Sequence, residues 1–167
     1  YFKSYNQGLM VISMIPLGII GAIWGHGIHG KPLSMMTLWG MVALSGVVIN
    51  DAIVFMARFN QNIERGLCVY DAIVEAGISR FRPILLTTVT TVAGLMPLIL
   101  ENNPDAAMLV PMSIALAYGI LFGTFFILVL LPVLLALNNS LLYFWRKRIC
   151  KDEEATRESI EPAIKYL

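Results

Sequence analysis

No Asp, Glu, Lys or Arg occurs from Ser4 to Gly30, from Pro83 to Leu100 or from Ala106 to Trp145, and from Pro32 to Ala57 the only one is Asp51. A hydrocarbon core about 30 Å thick needs roughly 20 apolar residues as helix. Each stretch meets or approaches that length. Spans are predicted near Tyr5–Gly27, Leu33–Ala57, Pro83–Leu100 and Met108–Leu137. The fourth is longer than a crossing needs, so part of it is expected to tilt or to lie in the interface. Composition points the same way. Apolar residues make up 57% of the 167 and charged residues 14%, against about 25% charged in a soluble domain. The formal net charge of +1 excludes a strongly basic nucleic-acid binder and an acidic disordered chain.

Lys and Arg in the short connections set the orientation. Side A holds the N-terminus, the connection between spans two and three, and the tail. It carries Lys3, Arg58, Arg65, Arg80, Arg82 and six more from Arg146 to Lys165, whereas side B carries only Lys31. The second loop on side B, residues 101–105, is acidic. This asymmetry puts side A and both termini in the cytoplasm. Between spans two and three, Leu67, Tyr70, Ile73 and Val74 fall at helical spacing with Glu64, Asp71 and Glu75 between them. That pattern predicts a short amphipathic helix at the cytoplasmic interface. The expected fold class is therefore an all-α membrane protein. Four transmembrane helices, with the amphipathic helix between the second and third, make a bundle segment over residues 1–145, and residues 146–167 form a charged cytoplasmic tail.

Several chemistries find no support. Cys68 and Cys150 sit in no CxxC or Cys/His cluster, which argues against a disulfide framework or a zinc site. No Gly-rich phosphate loop is present, so ATP-driven transport is not supported, and no cofactor is expected. The first span is too long for a signal-peptide core and lacks a small-residue cleavage site after it. The chain opens at Tyr1 without an initiator Met, and a piece of a longer protein is expected.

Within the spans, the small and polar residues carry the information. Gly18, Gly21 and Gly25 follow Pro16 in span one, and Gly119 and Gly123 repeat the small-xxx-small spacing in span four. Such pairs allow close helix approach, and plain packing is a better reading than a sliding contact. Pro16, Pro97 and Pro132 stand where they would kink their helices. His26 and His29, at the side-B end, read as interface residues rather than metal ligands.

Asp51 stands apart. A charge at mid-bilayer costs roughly 2.5–3.5 kcal/mol on insertion scales, and such residues usually mark an ion or proton path. Asp51 lies seven residues inside Arg58, about 10 Å into the membrane, with Asn50 beside it. The competing reading is an acid satisfied by buried hydrogen bonds. In span three, Thr87, Thr88, Thr90 and Thr91 cluster near the cytoplasmic half, and Thr87, Thr91 and Gly94 share a face. Counted from Arg82, Thr87 and Thr91 lie about 7–14 Å deep, which brackets Asn50 and Asp51. Either the hydroxyls belong to a proton relay or they bond their own backbone one turn back.

The run Gly46-Val47-Val48-Ile49-Asn50-Asp51-Ala52-Ile53-Val54 resembles the tenth transmembrane helix of the resistance-nodulation-division (RND) efflux transporters, AcrB/AcrD/AcrF type. Asp71-Ala72-Ile73, the stretch Arg80-Phe81-Arg82-Pro83-Ile84-Leu85-Leu86-Thr87-Thr88 and Gly94-Leu95-Met96-Pro97-Leu98 resemble the entry into their helix eleven. Pro16-Leu17-Gly18 with Gly21-Ala22 resembles helix nine, and Phe2-Lys3-Ser4-Tyr5 the segment before it. The resemblance covers roughly residues 1–137 and makes the chain a C-terminal fragment, helices nine to twelve.

The resemblance implies an inner-membrane homotrimer that exports drugs or other amphiphiles in exchange for protons, not an enzyme. Its implied partners are the lipid bilayer, the remainder of the same chain, a periplasmic adaptor and an outer-membrane channel. The family's essential acidic pair lies on helix four, and its substrate pockets lie in periplasmic domains. Helix ten often supplies a lysine facing that pair, and Asn50 stands at the matching position. Asp51 matches a position that is often Asn. Thr87 matches a relay threonine of helix eleven and Arg80 an arginine at its cytoplasmic mouth. With Thr91 added from its shared face with Thr87, the proton-relay candidates are Asn50, Asp51, Thr87, Thr91 and Arg80. The alternative is a small four-span membrane protein with an assembly or helix-interaction role and no transport of its own.

Overall fold

A computed structural model describes residues 5–101, 103 and 106–145, with side chains within residues 6–140. The tail over residues 146–167 and the first four residues lie outside the described residues. The elements are α1 (Tyr5–Ile12), α2 (Met14–His29), α3 (Met35–Glu64), α4 (Val69–Ile99) and α5 (Val110–Trp145). There is no strand among the described residues. Four segments are long and apolar enough to cross a membrane: Asn6–His29, Met35–Glu64, Val69–Ile99 and Val110–Ser140.

The first span is α1 and α2 joined through Ser13. Pro16 has no N–H to offer the carbonyl of Ile12, and its ring crowds that oxygen. The helix loosens at Ser13, whose hydroxyl donates to the Met10 carbonyl at 2.6 Å. The other three helices overshoot the bilayer. α3, α4 and α5 have 30, 31 and 36 residues, about 45–54 Å at 1.5 Å per residue. The predicted amphipathic helix is present as residues 69–82, joined without a break to the third span. Val69, Ala72, Ile73 and Ala76 enter one buried cluster with Phe55, Met56, Phe59 and Ile63 of α3. This packing holds the helix axis through Pro83 although that residue removes one backbone bond.

Two turns define the hairpins. Gly30 closes α2 at φ 60, with its own N–H on the Gly27 carbonyl and the Lys31 N–H on the His26 carbonyl. A side chain at that left-handed position would be strained. Ser34 then starts α3 with a capping box: its hydroxyl accepts from the Thr37 N–H at 3.3 Å and Thr37 Oγ1 accepts from the Ser34 N–H at 3.1 Å. At the opposite end Gly66, at φ 81, turns the chain from α3 to α4. The Asn62 side-chain amide donates to the Ala72 carbonyl at 3.2 Å across that turn.

α5 packs against α2, α3 and α4, so the core lies along its length. Contact with α2 runs through Gly21 and Gly25. A Cβ at Gly25 would lie 2.6 Å from the Tyr118 ring. Contact with α3 runs through Gly119 and Gly123, which receive Leu44 and Val48. Gly18 meets Val48 at ordinary van der Waals distance. Outside the core, large apolar side chains face outward, among them Trp24, Trp39, Val42, Leu86 and Phe125. A soluble surface would not tolerate that much contiguous apolar area, whereas lipid does. Trp24 and Trp39, both exposed, flank the α2–α3 turn, and tryptophan is enriched at membrane–water interfaces. From Trp39 to Arg58 is about 28 Å of helix, close to one hydrocarbon thickness.

His26 is 3% exposed, and the turn explains why it is not simply an interface residue. Its Nδ1 lies 2.9 Å from the Ala22 carbonyl, which can only accept, so Nδ1 carries the proton. Nε2 then accepts from the Thr37 hydroxyl at 3.0 Å. His29 contacts Tyr118 instead, Nε2 to hydroxyl at 3.1 Å with the rings edge to face. Both histidines tie the end of α2 to a neighbouring helix.

Candidate functional site

The polar groups at mid-membrane divide into an outward set and an inward pair. α3 turns Thr37, Gly40, Leu44, Val48, Ala52 and Phe55 into the bundle. At 100° per residue, Asn50 falls on the opposite side and is exposed, while Asp51 falls on the flank of the core and is half-buried. Among the described residues no hydrogen bond or ion pair engages the Asp51 carboxylate or the Asn50 amide. Gly46, one turn before Asn50, has nothing within 4 Å of where a Cβ would stand. That stretch of α3 is bare.

α4 presents a comparable bare surface. Of its membrane portion only Ile84, Thr88 and Ile99 are buried. Thr87, Thr90, Thr91 and Gly94 are exposed, and Gly94 also has nothing within 4 Å. The Thr87 hydroxyl donates to the Ile84 carbonyl at 2.9 Å, and that of Thr91 to the Thr87 carbonyl at 2.7 Å. Both hydroxyls thus bond their own backbone about one turn back. No described hydrogen bond joins Asn50 or Asp51 to Thr87 or Thr91. Arg80, one turn before Ile84, is half-buried, and its Nε has no partner among the described residues. Around Arg58, nearer the side-A end, the guanidinium lies 3.6 Å from Glu75 and donates to Gln61 Oε1 at 2.7 Å.

The inward pair is Thr88 and Thr124, two hydroxyls 2.7 Å apart between α4 and α5. Sequence reasoning grouped Thr88 with its three neighbours and passed over Thr124. A signal was available, because Thr124 is the one polar side chain between Gly119 and Leu137. A second missed pair stands at the side-A end. The buried amides of Gln7 and Asn60 exchange hydrogen bonds at 3.0 and 3.2 Å, fastening α1 to α3.

The comparisons with known proteins accord with this arrangement. A sequence model of the AcrB/AcrD/AcrF family matches residues 1–139. The multidrug resistance protein MdtC of Serratia proteamaculans (strain 568) is 32% identical over 134 residues, which is 79% of this chain and 13% of that protein. MdtC of Proteus mirabilis (strain HI4320) is 29% identical over 156 residues, 92% of this chain and 15% of that protein. A crystal structure of a heavy metal efflux pump superposes with a TM-score of 0.72 at 26% identity, covering 81% of this chain and 14% of the pump. The chain thus spans about a seventh of the length of these relatives. Matched along most of its length by sequence and by fold, the chain belongs to the AcrB/AcrD/AcrF family of RND efflux transporters.

Proposed function

We propose that these helices are the ninth to twelfth of a proton-driven multidrug or amphiphile exporter in a bacterial inner membrane, with both ends on the cytoplasmic side, and that they carry part of its proton path. In this reading Asp51 is the titratable group, Asn50 supplies an amide beside it, Thr87 and Thr91 relay, and Arg80 stands at the cytoplasmic mouth. One observation supports the reading: Asn50 and Asp51 on α3 and Thr87 and Thr91 on α4 lie at one depth, about 7–14 Å inside the cytoplasmic arginines, with Asn50, Thr87 and Thr91 exposed and Asp51 half-buried among the described residues. Exposing such groups to lipid is costly. A neighbouring part of the same transporter is the natural cover. A hydroxyl that donates to its own helix keeps its lone pairs for an incoming proton, and rotation about χ1 then hands a proton on. Asn50 cannot form the alternating ion pairs that a lysine would form there, so the acid beside it takes the charge change.

The whole transporter works in this reading as a homotrimer with a periplasmic adaptor and an outer-membrane channel. Residues 1–167 alone are expected to be inactive, since they lack the helix-four acids and the substrate pockets the family uses. Export from cells that express full-length transporter at matched trimer abundance tests the assignment. Asp51→Asn and Thr87→Val are both near-isosteric, and each is expected to lower export. Wild-type export by both would favour a packing role for these helices.

A further inference from the structure

We infer that the Thr88–Thr124 hydroxyl pair is a rotational clamp on α4, a positioning device that turns Thr87 and Thr91 onto the uncovered surface; this rests on the relay reading above. The two residues are 5% and 6% exposed. The Thr88 hydroxyl lies 2.9 Å from the Ile84 carbonyl and 2.7 Å from the Thr124 hydroxyl. Each hydroxyl has one hydrogen, so when Thr88 donates to the Ile84 carbonyl it accepts from Thr124, and either threonine can be the donor of the shared bond. In both arrangements the bond ties α4 to α5.

The surroundings put that bond on the one packed face of the membrane part of α4. Ile84 and Ile99 are buried there with Thr88, and Val92 and Leu95 are partly buried against α5. Leu85, Leu86, Val89 and Met96, off that face, are exposed. Apolar packing on this face is continuous and tolerates small rotations, whereas a hydrogen bond between helices is directional. The hydroxyl pair narrows the rotation that the packing allows. With Thr88 pinned to α5, Thr91 and Thr87 lie about 60° and 100° round the helix in the same direction. Both thereby leave the α5 contact, and their hydroxyls become available to whatever covers the bare surface.

The test uses full-length transporter carrying Thr88→Val, Thr124→Val, both together, or Thr88→Ser. Each valine variant is expected to lower the maximal export rate about three- to tenfold at matched trimer abundance, with the half-saturating substrate concentration unchanged. The double variant should fall no further than either single, and Thr88→Ser should restore the rate. Thermal unfolding of the purified transporter supplies a second cycle: both single valine losses lower Tm, and the double matches the larger of them. Losses that add in either cycle overturn the clamp, as does wild-type export by Thr88→Val in a protein that Asp51→Asn impairs. If instead Asp51→Asn and Thr87→Val export normally, the relay reading fails, and additive or non-additive Tm losses still decide whether the bond exists.

Discussion

Gly21 faces the carbonyl oxygen of Tyr118 so closely that a Cβ there would lie 2.9 Å from it and 2.8 Å from the first ring carbon of Phe122. The atoms in the way are backbone and the rigid base of an aromatic side chain, so neither helix can yield without separating. Gly119 differs, since what a Cβ would meet is the branched end of Leu44, which can rotate. Gly21→Ala is therefore expected to destabilise by about 1–3 kcal/mol. Gly119→Ala should stay within about 1 kcal/mol, helped by the helix propensity of alanine. Thermal unfolding of the two purified full-length variants checks the ranking, and equal losses would contradict it.

Thr37 should matter more than its size suggests. It supplies the only proton offered to the buried Nε2 of His26 among the described residues and half of the capping box that starts α3. Thr37→Val leaves that nitrogen unsatisfied, at about 1–3 kcal/mol, while Thr37→Ser retains both bonds. Ser45, whose hydroxyl donates only to carbonyls of its own helix, serves as the control. A Tm for Thr37→Val no lower than that for Ser45→Ala would show that the network contributes nothing.

The ion pair between Arg58 and Glu75 is expected to be nearly silent. Its side chains are 21% and 45% exposed and the closest approach is 3.6 Å, a geometry worth about 0–1 kcal/mol. Glu75→Gln should shift Tm slightly at low salt and not at all at high salt. A large, salt-independent loss would mean that the pair is shielded by a part of the transporter outside this chain.

Charge-free runs made the four spans legible, because a charged side chain in hydrocarbon is costly enough to leave a gap in the sequence. Helix ends were less legible for the same reason. The absence of charge marks the hydrocarbon boundary, and α3 runs on to Glu64 while α4 begins at Val69, both beyond that boundary, where their apolar faces pack on each other. The depth of Asp51 and of the threonines followed from counting along helices. The direction in which each hydroxyl points did not, because Thr88 and Thr124 are 36 residues apart and nothing local announces their pairing. His26 shows the same limit: its place near the end of a span suggested an interface, and the partner that buries it belongs to the next helix.

The orientation is open to a direct check. In a background with Cys68→Ser and Cys150→Ser, Lys31→Cys in the α2–α3 turn should react with an impermeant maleimide added outside intact spheroplasts. Arg65→Cys in the α3–α4 turn should react only after permeabilisation. The reverse pattern would invert the topology and move Arg80 to the wrong side of the membrane for a cytoplasmic mouth.

Substrate-dependent proton flux through the full-length transporter in proteoliposomes, compared between wild type and Asp51→Asn, tests the central claim most directly. The substitution keeps the shape of the side chain and removes its titration. If Asp51 carries part of the proton path, flux falls by about a hundredfold or more, the usual contribution of a positioned acid or base, while trimer yield and Tm hold. Wild-type flux from Asp51→Asn would contradict the account and leave the acid a structural group on the flank of α3.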